Sequence, residues 1–535
     1  MSINATHPSR AVARSTRAMV ASPHALATAA GVDVLRRGGN AVDAAIATNA
    51  VLTVVMPSSC GIGGDAFWLI SDRKRGVVAY NGSGRAPAAA SAQRLRDLGE
   101  SVMPLRGAHS VTVPGAVRSW EDVANAHGSR SLDELLEPAE RYARAGFACT
   151  DVIANYFELN AALLQRNAEA TSTFLRDGSP RAGTVVRNPA LADSIAEIRR
   201  GGADAFYTGR IAEAIVATVH EGGSGLTLDD LAAHRTEQTQ PIRLAWRGGE
   251  LLAHPPNSVG ATALEAMGML RGDGELDAPM WNHVAVEAMK IALDDRDTYF
   301  GDPAFVDVPI DRLLSETYLR ERRAEIDPAR ARMHHARTDR GGTVYLCVVD
   351  DEGNAVSLIE SLYMNFGSGL VARGTGIVLH NRGGYFSLVA DHPNELAGGK
   401  RPVHTLAPSM FLRDGMPELV FGTMGGDGQT QSHVQILHNL YERGLSVQQA
   451  LDEPRWLYGR HDGIPGSAGP GHALLVESRV DPSVLGSWIE RGHDVGVIGA
   501  YENLMGHASA IQVLRHEGTL AGGADPRADS AALGL

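Results

Sequence analysis

Two apolar runs around a polar turn stand out in the C-terminal half of the chain. Thr343-Val344-Tyr345-Leu346-Cys347-Val348-Val349 is followed by Asp350-Asp351-Glu352-Gly353-Asn354, then by Ala355-Val356-Ser357-Leu358-Ile359-Glu360-Ser361. Apolar runs flanking a Gly-Asn-bearing loop predict a β-hairpin. Both alternating faces of the first run are apolar, so that strand is expected to be covered on both sides. Folded about Glu352, the hairpin sets Thr343 opposite Ser361. Upstream, Ala25 to Arg37 has the period of an amphipathic helix closed by Gly38-Gly39, and a more apolar helix is predicted over Ala41 to Val55. Pro57-Ser58-Ser59 interrupts it, and Ala66-Phe67-Trp68-Leu69-Ile70 reads as strand. From about Leu132 to His234, Ala, Glu and Arg at helical spacing predict a helical layer. His283, Glu287 and Lys290 share one helix face by their spacing. That face could hold a metal, but exposed ion pairs are the preferred reading. His334-His335 lies in a polar, Arg-rich stretch that reads as linker.

Composition narrows the class more than it names a function. A chain of 535 residues with 44% hydrophobic content is an ordinary globular protein, long for one domain unless its core is built on two sheets. A net charge of −13 argues against non-specific nucleic-acid binding, and any carboxylate substrate would need local positive charge. Cys60, Cys149 and Cys347 are odd in number, lack paired spacing and fit a reducing compartment. No run is apolar enough to span a bilayer, and Met1 to Arg17 lacks the apolar stretch of a signal peptide. Gly61-x-Gly63-x-x-Ala66 superficially fits a dinucleotide fingerprint, but helix precedes it and strand follows, the reverse of the required context.

Candidate chemistry begins at Gly341-Gly342-Thr343. A hydroxyl opening a buried strand just after a diglycine suggests self-cleavage before Thr343. The freed residue then holds a nucleophile and, in its α-amine, a general base that titrates at roughly 7.7–8.0. A strand-initial threonine chosen for β-propensity is the plainer reading of the octapeptide taken alone. Ser361 is the second hydroxyl, expected to orient the first. After the apolar strand Glu418-Leu419-Val420-Phe421 comes Met424-Gly425-Gly426-Asp427-Gly428, where consecutive glycines let N–H groups converge on an oxyanion. Cys347, inside the strand and without a preceding diglycine, is expected to pack rather than react.

Gly38-Gly39-Asn40-Ala41-Val42-Asp43-Ala44-Ala45, Cys60-Gly61-Ile62-Gly63-Gly64-Asp65, Val113-Pro114-Gly115, Thr343 to Asp350, Phe366-Gly367-Ser368-Gly369 and Asp525-Pro526-Arg527 occur in order along the chain. With Glu287-Ala288-Met289-Lys290 and Tyr299-Phe300-Gly301-Asp302-Pro303, this pattern resembles the γ-glutamyltranspeptidases from about Met19 to the C-terminus. The resemblance implies an α+β fold, the four-layer αββα sandwich of N-terminal nucleophile hydrolases. It implies scission of Gly342–Thr343 into a large subunit, residues 1–342, and a small subunit, residues 343–535, that stay associated. A dimer of such heterodimers is left open. By the same resemblance Thr343 is the nucleophile, Ser361 the hydroxyl that assists it, and Gly425 and Gly426 the oxyanion donors. No metal or organic cofactor is expected. Many members are exported; the N-terminus here points instead to the cytoplasm.

The glutamate-reading positions depart from that pattern. The family's Arg-Glu-x-Ala-Pro is here Ser83-Gly84-Arg85-Ala86-Pro87, and Tyr363 stands where the family has Asn. The loop that holds the substrate's amino group by an acidic residue is His380-Asn381-Arg382-Gly383-Gly384-Tyr385-Phe386, and the family's paired serines are His404-Thr405. Replacing an acidic cradle by Tyr385 and Arg382 makes the pocket neutral or positive, unsuited to an ammonium. The altered blocks are similar to the oxamate amidohydrolase and glutathione hydrolase-like branch. One Arg fork suits a small carboxylate, so Arg382 is the candidate anchor, with Tyr363, Tyr385, His404 and Thr405 around it. A structural salt bridge is the competing role for Arg382, and a core position for His404. The expected partner is a small amide bearing a carboxylate. A γ-glutamyl transferase or glutathione hydrolase with a remodelled pocket is the runner-up; an unprocessed carboxylate-binding protein, or an unprocessed partner in an oligomer, is the non-enzymatic alternative.

Overall fold

The computed structural model describes residues 10–271, 276–333, 341–460 and 472–535, so His334-His335 lies outside the described residues. Two seven-stranded sheets carry the architecture. The first runs in the order Ala531–Gly534, Met19–Ser22, Gly342–Val349, Ala355–Tyr363, Asp65–Asp72, Gly76–Gly82, Glu237–Thr239. The second runs Ala13–Ser15, Thr519–Ala524, Ala508–Leu514, Met416–Thr423, Ser409–Arg413, Gly249–Ala253, Ile242–Trp246. Each sheet mixes segments from before and after Gly342.

Alternation along Gly342–Val349 explains how the layers stack. Val344, Leu346 and Val348 join an apolar cluster with the helices Ala25–Arg36 and Ala41–Val55. Tyr345, Cys347 and Val349 point the other way, into a cluster shared with Leu252, Met410, Val420 and Ile511 of the second sheet. Beyond the second sheet, Phe411, Phe421 and Leu251 pack on the helices Gly260–Met269, Ala278–Tyr299 and Gly428–Tyr441. Helix, sheet, sheet, helix is the expected four-layer αββα sandwich. The helices predicted over 25–37 and 41–55 are observed over Ala25–Arg36 and Ala41–Val55, the second opened by a capping box between Asn40 and Asp43. The 132–234 section is the helical layer it was expected to be, from Leu132–Ala145 to Leu228–Ala232. Among the described residues no helix is long and apolar enough to cross a membrane.

One expectation is corrected. His283, Glu287 and Lys290 do share a face of Ala278–Tyr299, but that face is buried. The helix is flanked by Gly260–Met269 and by Pro482–Glu490, and every residue from His283 to Leu293 is buried. Lys290 Nζ lies 2.7 Å from Glu287 Oε1 and also donates to the Arg332 carbonyl. His283 Nε2 donates to the Asp327 carbonyl, which leaves its Nδ1 to accept from His493 Nε2 at 2.8 Å. His283, Glu287 and His493 bring their ligand atoms within 4.8 Å of one another. The Lys290 ammonium already sits against the carboxylate, however, and balances its charge in place of a metal cation.

Glu360 points from the first sheet into the helical layer, accepting from Asn49 Nδ2 at 2.6 Å and from Gly61 N at 3.0 Å. Burial pushes its carboxyl up from the ordinary 4.5 to about 8. The fold therefore retains a proton that the unfolded chain releases above its own carboxylate value, so this group's contribution is full at low pH and is lost as pH rises towards 8. Replacing Glu360 by Gln should flatten part of the fall in melting temperature between about pH 5 and 8. Parallel wild-type and variant slopes over that range would show that Glu360 does not contribute.

Candidate active site

The hairpin forms in the register its sequence predicts. Val344 pairs with Glu360 and Val349 with Ala355, and a bulge lies between Gly342 and Val344. Thr343 and Ser361 therefore meet side by side, with Thr343 Oγ1 donating to Ser361 Oγ at 3.0 Å. Ser361 Oγ in turn donates to the Gly342 carbonyl at 2.6 Å and accepts from Tyr363 N at 2.7 Å. The carbonyl preceding Thr343 is thus polarised by the same hydroxyl that receives the Thr343 proton. Both side chains are fully buried.

Arg382 opens a short 3₁₀ turn, Arg382–Tyr385. Its Nη1 donates to Thr405 Oγ1 at 3.2 Å, its Nη2 lies 3.5 Å from Ser361 Oγ, and its plane covers the Tyr363 ring at 4.3 Å. The guanidinium is wholly buried, its Nε has no hydrogen-bond partner, and among the described residues no carboxylate pairs with it. Burial pulls its pKa below the ordinary value. Tyr363 adopts φ +74, a strained conformation for a bulky residue, with its ring held edge-on to Tyr385 and under the guanidinium. Arg85 is already committed, lying 2.9 Å from Glu237 and 3.3 Å from Asp302.

Beneath the site lies a carboxylate whose role the sequence did not reveal. Asp65 pairs with Ser361 across the sheet, and its Oδ1 accepts from the N–H groups of Gly84 and Gly115. Its Oδ2 is 3.2 Å from His380 Nδ1 and 3.4 Å from His404 Nε2. His380 Nε2 faces the Thr112 carbonyl at 2.8 Å, which can only accept, so Nε2 carries hydrogen. His404 is fully buried against Phe67, and burial together with Arg382 holds its pKa well below the usual imidazole range. It sits behind Arg382 and beside Asp65 as a neutral ring.

The glycine turn comes from the second sheet. Gly425 has φ +130 and Gly426 φ +57, and their carbonyls accept from Gly428 N and Gln429 N at the start of Gly428–Tyr441. Among the described residues neither of the two N–H groups has a partner. Gly426 lies against Gly341. Asp427 accepts from Arg296 Nη1 at 2.6 Å and from the Tyr385 hydroxyl at 2.9 Å. Neither contact was visible in the sequence. All three cysteines are free and buried, and burial raises the thiol of Cys347, which leaves it a packing residue.

A strand-borne hydroxyl, a second hydroxyl on the preceding carbonyl, a buried cation and a diglycine loop have converged from four separate segments. The gamma-glutamyltranspeptidase model matches residues 27–535. The chain belongs to that family. It is 42% identical to the glutathione hydrolase-like YwrD proenzyme of Bacillus subtilis, with 97% of this chain and 99% of that protein covered. It is 36% identical to the oxamate amidohydrolase proenzyme of Klebsiella pneumoniae, again with 97% and 99% covered. A crystal structure titled cephalosporin acylase, from Bacillus halodurans, superposes with a TM-score of 0.92 at 36% identity, covering 100% of this chain and 99% of that one. Members of the family share the N-terminal nucleophile hydrolase sandwich seen here, and both curated relatives are named as proenzymes.

Alanine at Gly425 finds room but not the backbone, since φ +130 is rarely open to an L side chain. If these N–H groups serve the reaction, Gly425→Ala should lower turnover by about 10²–10³, the usual cost of an oxyanion donor. Unchanged kcat in a correctly folded variant would remove the loop from the mechanism.

Proposed function

We propose that this chain cuts its own Gly342–Thr343 bond and then hydrolyses a small carboxylate amide, with oxamate the preferred substrate. The observation that carries the substrate class is the buried Arg382 guanidinium, which has no directly paired carboxylate among the described residues, only the more distant charges of Asp65 and Asp427, and lies within reach of the reacting hydroxyls. A buried cation without a directly bonded counter-charge is costly, and a bound carboxylate would supply that contact. The Klebsiella relative named as an oxamate amidohydrolase supports the same reading.

Maturation follows from the hydrogen-bond chain. As Thr343 Oγ1 attacks the Gly342 carbonyl carbon, its proton passes to Ser361 Oγ while the Ser361 proton moves to the Gly342 oxygen. Collapse breaks the C–N bond and gives an ester and a free α-amine; water then releases residues 1–342 from residues 343–535. In the mature site the α-amine of Thr343 takes the hydroxyl proton, and the oxygen attacks the substrate amide. Gly425 and Gly426 N–H groups hold the oxyanion, and the α-ammonium gives its proton to the departing ammonia. Water, deprotonated by the same amine, hydrolyses the acyl ester. For oxamate the balance is oxamate plus water to oxalate plus ammonia.

The test is intact mass with N-terminal sequencing, followed by ammonia release from oxamate and aniline release from a γ-glutamyl anilide. Two fragments meeting at Gly342–Thr343 and faster turnover of oxamate support the proposal. Faster release from the γ-glutamyl compound reverses the substrate ranking. A chain that stays whole and turns over neither is a carboxylate-binding protein instead.

A further inference from the structure

Asp427 joins two parts of the site that the sequence presents as unrelated. It follows Gly425-Gly426 directly and occupies the cap position of Gly428–Tyr441, yet its side chain does not cap that helix. The carboxylate, 2% exposed, turns away from it to meet Arg296, also 2% exposed, and the Tyr385 hydroxyl. Arg296 is anchored independently through Asp297. Tyr385 closes the turn that begins with Arg382, its carbonyl is held by Asn394 Nδ2 at 2.8 Å, and its ring braces Tyr363 under the guanidinium. One carboxylate oxygen therefore ties the diglycine loop to the turn bearing the cation.

We infer that Asp427, through Tyr385, is a positioning residue that fixes the separation between the carboxylate anchor and the oxyanion donors, and so sets the acyl length accepted. The inference rests on the roles given above to Arg382, Gly425 and Gly426. In a short acid amide the carboxylate and the reacting carbonyl are joined rigidly, so each must reach its partner at one spacing. A misplacement of about 1 Å at such a site costs on the order of 10²-fold in rate. Longer homologues have methylenes that absorb the error. A rigid bridge therefore favours the shortest acid, and a loosened bridge penalises that acid most. Arg296 keeps the bridge from swinging, because a buried Asp held by two donors has one orientation in which both are satisfied.

The experiment uses the processed enzyme and a series of monoamides: oxamate, malonamate, succinamate and glutaramate. Wild type is expected to prefer oxamate. Asp427→Asn, isosteric and still beside Arg296, should lower kcat on oxamate by about 10–10²-fold and leave succinamate and glutaramate within a few-fold, compressing the preference. Tyr385→Phe removes only the bridging hydroxyl and should compress it in the same direction, with melting temperature and self-cleavage retained. A uniform loss across the series in both variants would mean that Asp427 merely supports the fold, and would overturn the bridge while leaving the functional reading intact. A processed wild type that hydrolyses none of the four overturns that reading, and the bridge falls with it.

Discussion

Thr343→Ala is expected to yield a single uncut chain with no amide turnover. The substitution removes the hydroxyl that adjoins the Gly342–Thr343 bond, while Ser361 remains bonded to the Gly342 carbonyl and the strand keeps its register. Ser361 cannot take over. Its oxygen already donates to the Gly342 oxygen, so it faces the wrong end of the carbonyl for attack on carbon. Cys347 cannot either, since its thiol is buried four residues along the strand and its pKa is raised by desolvation. Removal of an activated nucleophile typically lowers kcat by about 10⁶, which in a mass spectrum means no fragments over days. The reading fails if Thr343→Ala protein is found cut at Gly342, or if it still releases ammonia from oxamate.

Arg382→Ala should separate substrate capture from maturation. In the proposed reaction self-cleavage uses Thr343, Ser361 and the Gly342 carbonyl; Arg382 touches this set through a 3.5 Å contact with Ser361. Substrate capture, in the same proposal, uses the guanidinium directly. A charged hydrogen-bonding partner contributes about 1.5–3 kcal/mol, or roughly 10–150-fold in affinity. The Michaelis constant for oxamate should rise by that factor, while scission slows by much less. Arg382→Lys should not rescue it, because a single ammonium cannot reproduce a planar fork. Unchanged oxamate kinetics in the alanine variant would mean that Arg382 is structural. Equal losses in both steps would mean that it serves the hydroxyls rather than the acid.

What the sequence disclosed was what short-range patterning controls. The hairpin from 343 to 361 was legible because alternation and a Gly-Asn turn leave few registers, and one more residue beyond Val344–Glu360 sets the two hydroxyls together. The helix boundaries near Arg36 and Val55 were legible from glycine, asparagine and proline at their ends. Arg296 and Asp427, by contrast, are 131 positions apart and meet only when a helix end of one layer reaches a loop at the rim of a sheet. The motif around Asp65 gave an acid but not its neighbours, since His380 and His404 arrive from loops far down the chain. The face of His283 looked exposed because its residues are polar. Burial of that face depends on two helices that nothing in its own heptad announces.

The interleaving of the two sheets has a consequence for the order of events in the cell. Met19–Ser22 lies directly beside Gly342–Val349, and Ala531–Gly534 lies on the far side of Met19–Ser22. A strand from near the start of the described chain and the last strand are thus needed before the central hairpin is enclosed. A nascent or half-folded chain has Thr343 and its peptide bond but not the hydroxyl, the loop or the packing that makes the bond reactive. The scission proposed above would then act as a checkpoint, open only to chains that have finished folding. Once passed, it cannot be retraced: the two polypeptides hold the fold as interlocked halves, and a later loss of structure would have no single chain from which to fold again.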